Sequence, residues 1–106
     1  MIARWWRGWT SQANADAYQR LMLEKILPAI DVEGYRGVQF FRRDVEEGVE
    51  FAALSLWDSA DSLRTFAGQD YEKAVIPPDA EPLLKHYDVF AAHYEIVSEP
   101  GASRSE

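Results

Sequence analysis

Between Phe51 and Asp70 the pattern of apolar and polar positions changes its period within a few residues. The run Phe51-Ala52-Ala53-Leu54-Ser55-Leu56-Trp57 carries no charge and predicts a strand buried on both faces. Asp58 or Ser59 is then placed to cap a helix, and Asp61 falls in its first turn, where a carboxylate suits the positive end of the helix dipole. Leu63, Phe66 and Ala67 form an apolar stripe, and Gly68 closes the helix.

The flanking chain can be read around this strand-to-helix join. Ile2 to Trp9 predicts a first strand rich in aromatics, with Ile2, Arg4, Trp6 and Gly8 on one face and Ala3, Trp5, Arg7 and Trp9 on the other. Thr10 and Ser11 offer a cap for a helix from Gln12 to about Leu27, whose inner face is Ala15, Tyr18, Met22 and Ile26. Pro28 ends regular helix, with room for one more turn through Ile30, and Gly34 stands before the next strand. Arg36 to Arg43 is that strand, and Asp44 to Gly48 is a charged hairpin turn. After Gly68, Asp70 can cap a further turn from Tyr71 to Val75 that Pro77 and Pro78 stop. Pro82, Leu83 and Leu84 form a short helical turn. Tyr87 to Val97 is the last strand, with Val89, Ala91, His93 and Glu95 on one face and Phe90, Ala92, Tyr94 and Ile96 on the other. Residues 1–97 therefore read as one domain, and the polar stretch 98–106 as a flexible C-terminal tail.

The order is βαββαβ, an α+β chain of the ferredoxin-like kind with a four-stranded antiparallel sheet and two helices on one face. Two helices cover one face of such a sheet, yet the strands at 51–57 and 89–92 are apolar on both. A second copy of the same face is the simplest cover, so a homodimer through the sheet face is expected, a dimeric α+β barrel hiding on the order of 800 Å² per partner.

Composition narrows the function classes. With 18 acidic and 11 basic residues the net charge is −7, which argues against nucleic acid and against an anionic membrane surface as partners. No cysteine is present, which removes disulfides, thiolate nucleophiles and cysteine metal sites. The first residues, MIARWWRGW, lack the form of a signal peptide, and no apolar run reaches membrane-spanning length, so a cytoplasmic protein is expected.

The join LSLWDSADSLRTFAG, the segment AVIPP and the ending HYEIV are similar to the antibiotic biosynthesis monooxygenase-like group of dimeric α+β barrel proteins, over about residues 2 to 97. The resemblance implies two ferredoxin-like sheets packed face to face. Some members of that group oxidise polyketide aromatics without metal or flavin, others open haem, and many small members have no assigned activity; the chain is most similar to the last. Haem-degrading members carry an iron-binding His at or just after the second helix, whereas Tyr71 to Pro78 contains none. No metal, flavin or haem is therefore expected.

The residues that could carry chemistry are few. His86 and His93, seven apart on a strand, point to opposite faces and cannot share a metal. His93 shares a face with Glu95 and is either a structural hydrogen-bonding residue or the proton acceptor of a pocket, with a carboxylate or backbone carbonyl as its expected partner. Trp6 and Trp57 are candidates for an aromatic pocket, with Tyr94 as a donor to a ligand oxygen. Of Arg4 and Arg7, one could hold an acidic or phenolate substrate, or each could pair with Glu50, Glu95 or another carboxylate. Two readings follow. One is a small cofactor-independent monooxygenase acting on an aromatic or polyketide-like molecule, with His93 as catalytic base and Arg4, Trp6, Trp57 and Tyr94 binding substrate. The other is a non-catalytic small-molecule-binding or assembly module. An enclosed cavity lined by Trp, Arg and His favours the first, a filled core the second.

Overall fold

The computed structural model describes residues 1–98; the expected tail falls almost wholly outside the described residues. The elements are β1 (Ile2–Thr10), α1 (Gln12–Leu21), β2 (Tyr35–Val45), β3 (Gly48–Trp57), α2 (Ala60–Ala67), β4 (Leu84–Tyr87) and β5 (Ala92–Glu95). They form one antiparallel sheet in the order β2-β3-β1-β4, with β5 also paired to β1. This is the ferredoxin-like α+β fold, with five strands where four were expected.

The last strand, expected from Tyr87 to Val97, is replaced by two: β4 starts earlier, at Leu84 where a helical turn was expected, and ends at Tyr87, and β5 keeps only Ala92–Glu95 of the expected span. β4 pairs with the second half of β1, from Gly8 to Thr10, and β5 with the first half, from Ile2 to Trp5. Between them the chain leaves the sheet because other groups take its backbone and side chains. Asp88 donates its N–H to the Arg7 carbonyl at 2.9 Å and accepts on its own carbonyl from Trp6 Nε1 at 2.8 Å. Its carboxylate pairs with the Arg7 guanidinium at 2.9 Å. Ala74 then donates to Val89 at 2.8 Å, and Ala91 to Glu72 at 2.7 Å. Residues 72–74, expected to be helical, are instead drawn out as a short partner for this loop, with a single turn from Lys73 N–H to the Asp70 carbonyl.

The helix caps follow the sequence. The Ser11 hydroxyl accepts from Asn14 N–H at 3.1 Å, and Ser59 and Ser62 cap each other's backbone at the start of α2. Gly68 closes α2 at φ 95°. α1 stops being regular at Leu21. A wide π-type turn over Met22–Ile26 and a 3-10 turn over Leu27–Ala29 carry the chain past Pro28, which has no N–H for an α-helical bond. The β2–β3 hairpin is tighter than expected, because both strands extend to Val45 and Gly48.

α1 packs on the sheet through Ala15 and Tyr18, joined by Met22 of the following turn, and these meet Val49, Phe51 and Ala80 in a buried cluster. The Tyr18 ring stands edge-on to Phe51 with centroids 4.9 Å apart. α2 covers the other end through Phe66, 4.9 Å from the buried Trp57 ring. The opposite sheet face has no helix over it among the described residues. There Trp5 lies 6.0 Å from Phe41, and Phe41 and Tyr94 are exposed. Among the described residues no helix is long and apolar enough to cross a membrane.

Candidate functional site

Strand alternation divides the candidate residues between the two sheet faces. On β1, Arg4 and Trp6 point toward the helices, while Trp5, Arg7 and Trp9 point to the uncovered face. On β3, Ala53, Ser55 and Trp57 face the helices. The register of β5 sets His93 opposite Arg4 and Tyr94 opposite Ala3. Tyr94 is therefore on the uncovered face and takes no part in the site beneath the helices. His86 also lies on the uncovered side, stacked on Trp9 with centroids 4.5 Å apart.

Between sheet and helices lies a cavity of about 410 Å³. That is toward the lower end of the roughly 300–1,000 Å³ of small-molecule sites. Trp6, Val38, Ala53 and Trp57 form its floor. Tyr18, Met22 and Ile26 line it from the first helix and its continuation, and Phe66 from α2. Val75, Ile76 and Pro77 line it from the loop after α2. The walls are apolar apart from Arg4, Tyr18, Asp31, Ser55 and Thr65.

Arg4 is the site's cation, and it is 5% exposed. One Nη1–H donates to the Tyr71 carbonyl, and Nη2 donates to the Lys73 carbonyl at 3.0 Å. Nη1 also lies 3.0 Å from His93 Nε2. A guanidinium only donates, so this His93 nitrogen accepts and the imidazole proton is on Nδ1. The Phe66 ring lies 5.7 Å from the guanidinium carbon. Burial lowers the pKa of Arg4 from its ordinary value. His93 is lowered as well, first by burial and then by the Arg4 charge, with Glu72 acting in the opposite direction.

Two further polar groups complete the site. The Ser55 hydroxyl accepts from Trp57 Nε1 at 2.9 Å, which satisfies the one polar atom of a fully buried indole. Tyr18 is 1% exposed, and burial pushes its hydroxyl pKa well up, so it stays protonated. The hydroxyl makes no hydrogen bond to a described residue.

The structure brings Arg4, Trp6 and Trp57 to one cavity. His93 stands behind Arg4 rather than on the cavity wall, and its partner is a guanidinium instead of the expected carboxylate or carbonyl. Glu95 shares its face but is not that partner, and Arg7 pairs with Asp88 rather than Glu50 or Glu95. Tyr18, Ser55, Phe66 and Asp31 were missed as site residues. The inner face of α1 marked Tyr18 as inward-facing, but not as the neighbour of a void.

No family model matches the chain, and no curated protein does. Among solved structures the chain is similar to the haem degrader MhuD from Mycobacterium tuberculosis, solved with two haems bound in its active site. The TM-score is 0.66 at 12% identity, over 93% of this chain and 98% of that one. It is also similar to a candidate antibiotic biosynthesis monooxygenase from Bacillus cereus, at a TM-score of 0.60 and 15% identity, over 93% and 94%.

The residues present do not fit haem. Iron is anchored by His, by a Cys thiolate, by Met together with His, or by a Tyr phenolate. The described walls hold no His and the chain no Cys, His93 Nε2 is turned to Arg4, and the Tyr18 hydroxyl is held protonated. The loop after α2 offers Val75, Ile76 and Pro77. Among the described residues no group of three or more His, Asp or Glu could hold a metal ion. At these identities the likeness establishes architecture: the chain has the ferredoxin-like α+β fold of the monooxygenase and haem-degrader structures it is similar to.

Proposed function

We propose that the chain binds a small aromatic molecule in the cavity between sheet and helices and, as a cofactor-independent monooxygenase, presents it to dioxygen. The observation that carries this reading is the cavity itself: about 410 Å³ bounded by Trp6 and Trp57 with one buried guanidinium on its wall, where a non-binding module would have a filled core. The candidate monooxygenase among its structural neighbours supports the same class. In this reading an electron-rich CH2 centre of the substrate, or of the keto tautomer of a phenol, supplies the electrons. One oxygen atom ends in the product carbonyl and the other leaves as water with the two hydrogens of that centre. The protein contributes a dry, oriented site and holds negative charge developing on the substrate against Arg4. His93 acts through Arg4, fixing the guanidinium from behind.

The test is dioxygen uptake with an anthrone or a dihydroxynaphthalene as substrate. Enzymatic uptake with formation of the quinone, lost in Arg4→Gln, supports the reading. A second reading, a binding module without turnover, is favoured by one observation: His93 is engaged with Arg4 and the Tyr18 hydroxyl is protonated, so neither is a ready base on the wall. Tight binding of the same aromatics without dioxygen uptake decides for it.

A further inference from the structure

The charge balance of the cavity wall points to one kind of ligand. Of the other arginines described, Arg7, Arg36, Arg42, Arg43 and Arg64 each pair with an Asp or Glu at 2.6–3.0 Å, and Arg20, which has no such pair among the described residues, is exposed to water. Arg4 is more deeply buried than any of them, and among the described residues no carboxylate lies within ion-pair distance of it. Eighteen acidic residues are available in this chain, and none of those described is placed there. Burying a cation without a counter-ion costs several kcal/mol, which carbonyl oxygens offset only in part.

A purely structural arginine would spend its donors on the protein. Arg4 has five N–H groups, and three of them reach Tyr71, Lys73 and His93. The Nε–H and one Nη2–H remain, on neighbouring nitrogens of the fork. Among the described residues every side-chain nitrogen or oxygen sealed from solvent has a partner. The unpartnered Nε of this buried residue is therefore not sealed from solvent, and Arg4 lines the cavity. The Tyr18 hydroxyl, without a described partner on a residue 1% exposed, is likewise not sealed, and Tyr18 lines the same space. The wall thus offers a two-donor fork with a positive charge, a neutral hydroxyl and otherwise apolar surface. Asp31, also on the lining, is the wall's negative charge and opposes a second anionic group.

Resting on the reading of this cavity as a ligand site, we propose that its ligand is an aromatic monoanion, with a carboxylate held by the free edge of Arg4 and the rings between Trp6 and Trp57. A carboxylate supplies two oxygens to the two free donors and the counter-ion the fold withholds. His93 is a positioning residue for this contact, since its neutral ring accepts from Arg4 and does not compete for the anion.

The test is calorimetric titration of the full chain with naphthoate and with naphthamide, which share shape and rings but differ in charge. The expected result is naphthoate binding tighter by about tenfold or more, the preference lost in Arg4→Gln while naphthamide still binds. Arg4→Lys, which keeps the charge without the fork, is expected to retain part of the preference. Equal affinity of the unmodified protein for the two probes overturns the monoanion proposal and leaves the aromatic site standing. Binding of neither probe overturns both. Because the decisive comparison uses the unmodified chain, it does not depend on whether a variant folds.

Discussion

Arg4 Nη1 and His93 Nε2 lie 3.0 Å apart, joined across the β1–β5 pairing by a hydrogen bond in which the imidazole is the acceptor. This contact ties the broken last strand to the floor of the cavity. The same guanidinium reaches the carbonyls of Tyr71 and Lys73, so one side chain gathers β1, β5 and the loop after α2. Removing the acceptor strands a donor in a buried site.

His93→Ala is therefore expected to lower stability by about 1–3 kcal/mol, the cost of a buried group left without its partner. His93→Gln, which can offer an amide oxygen, is expected to recover most of it. Urea unfolding of the two variants beside the unmodified chain measures both. An alanine variant as stable as the parent would mean that the contact contributes nothing.

The same pair sets a pH dependence. His93 is surrounded by Arg4 from β1, by Tyr71 and Glu72 from the loop after α2, and by Glu95 on its own strand. Burial and Arg4 outweigh Glu72 and hold its pKa below the ordinary value of 6.5. As pH falls below 6.5, the unfolded chain takes up this proton before the folded chain does. The stability from a neutral His93 is thus fully present above that value and is lost as pH falls toward the lowered folded one. Between about pH 7.5 and about pH 5.5 the urea midpoint of the unmodified chain should drop further than that of His93→Gln. Parallel changes in the two proteins would contradict the assignment.

Gly48 gives a sharper backbone test. It opens β3 at φ 145°, and a Cβ there would stand 2.2 Å from the Thr10 carbonyl oxygen. Neither group can yield, since both belong to backbone at the crossing of β3 with the end of β1. Gly48→Ala is expected to cost about 2 kcal/mol or more in thermal or urea unfolding. A variant of parental stability would show that the hairpin is free to shift.

The architecture was legible because it rests on local signals. The uncharged run 51–57, the Ser59 cap and Gly68 place β3 and α2. The inward face of α1 held from Ala15 to Met22. The broken strand was not legible, since Asp88 leaves the sheet for contacts with Arg7 and Trp6, distant in sequence, while Val89 and Phe90 have strand-like composition. Alternation along β1 put Arg4 and Trp6 on one face, and both line the cavity. The placement of Tyr94 depended on which face the helices cover, which alternation alone cannot fix. His93 was singled out as a residue with a carboxylate or carbonyl partner, whereas the group it meets, Arg4, is a guanidinium 89 positions away in the chain.

The uncovered sheet face leads to an expectation about assembly. Trp5, Phe41 and Tyr94 present aromatic surface there with nothing among the described residues to cover it. We propose that a second copy packs on this face. Light scattering at micromolar concentration should give twice the 12.1 kDa chain mass, and Phe41→Asp should shift it toward the single-chain value. A monodisperse single chain at that concentration would exclude the dimer.

The tryptophans test the central claim most directly, because the sheet divides them two and two. Trp6 and Trp57 line the cavity, while Trp5 and Trp9 lie on the far face. Each indole N–H gives a separate signal in a nitrogen-15 correlation spectrum. On titration with a naphthol, the signals of Trp6 and Trp57 are expected to shift in a saturable manner while those of Trp5 and Trp9 stay in place. Saturable shifts confined to Trp5 and Trp9, or no shift at any of the four, would contradict a ligand site between sheet and helices.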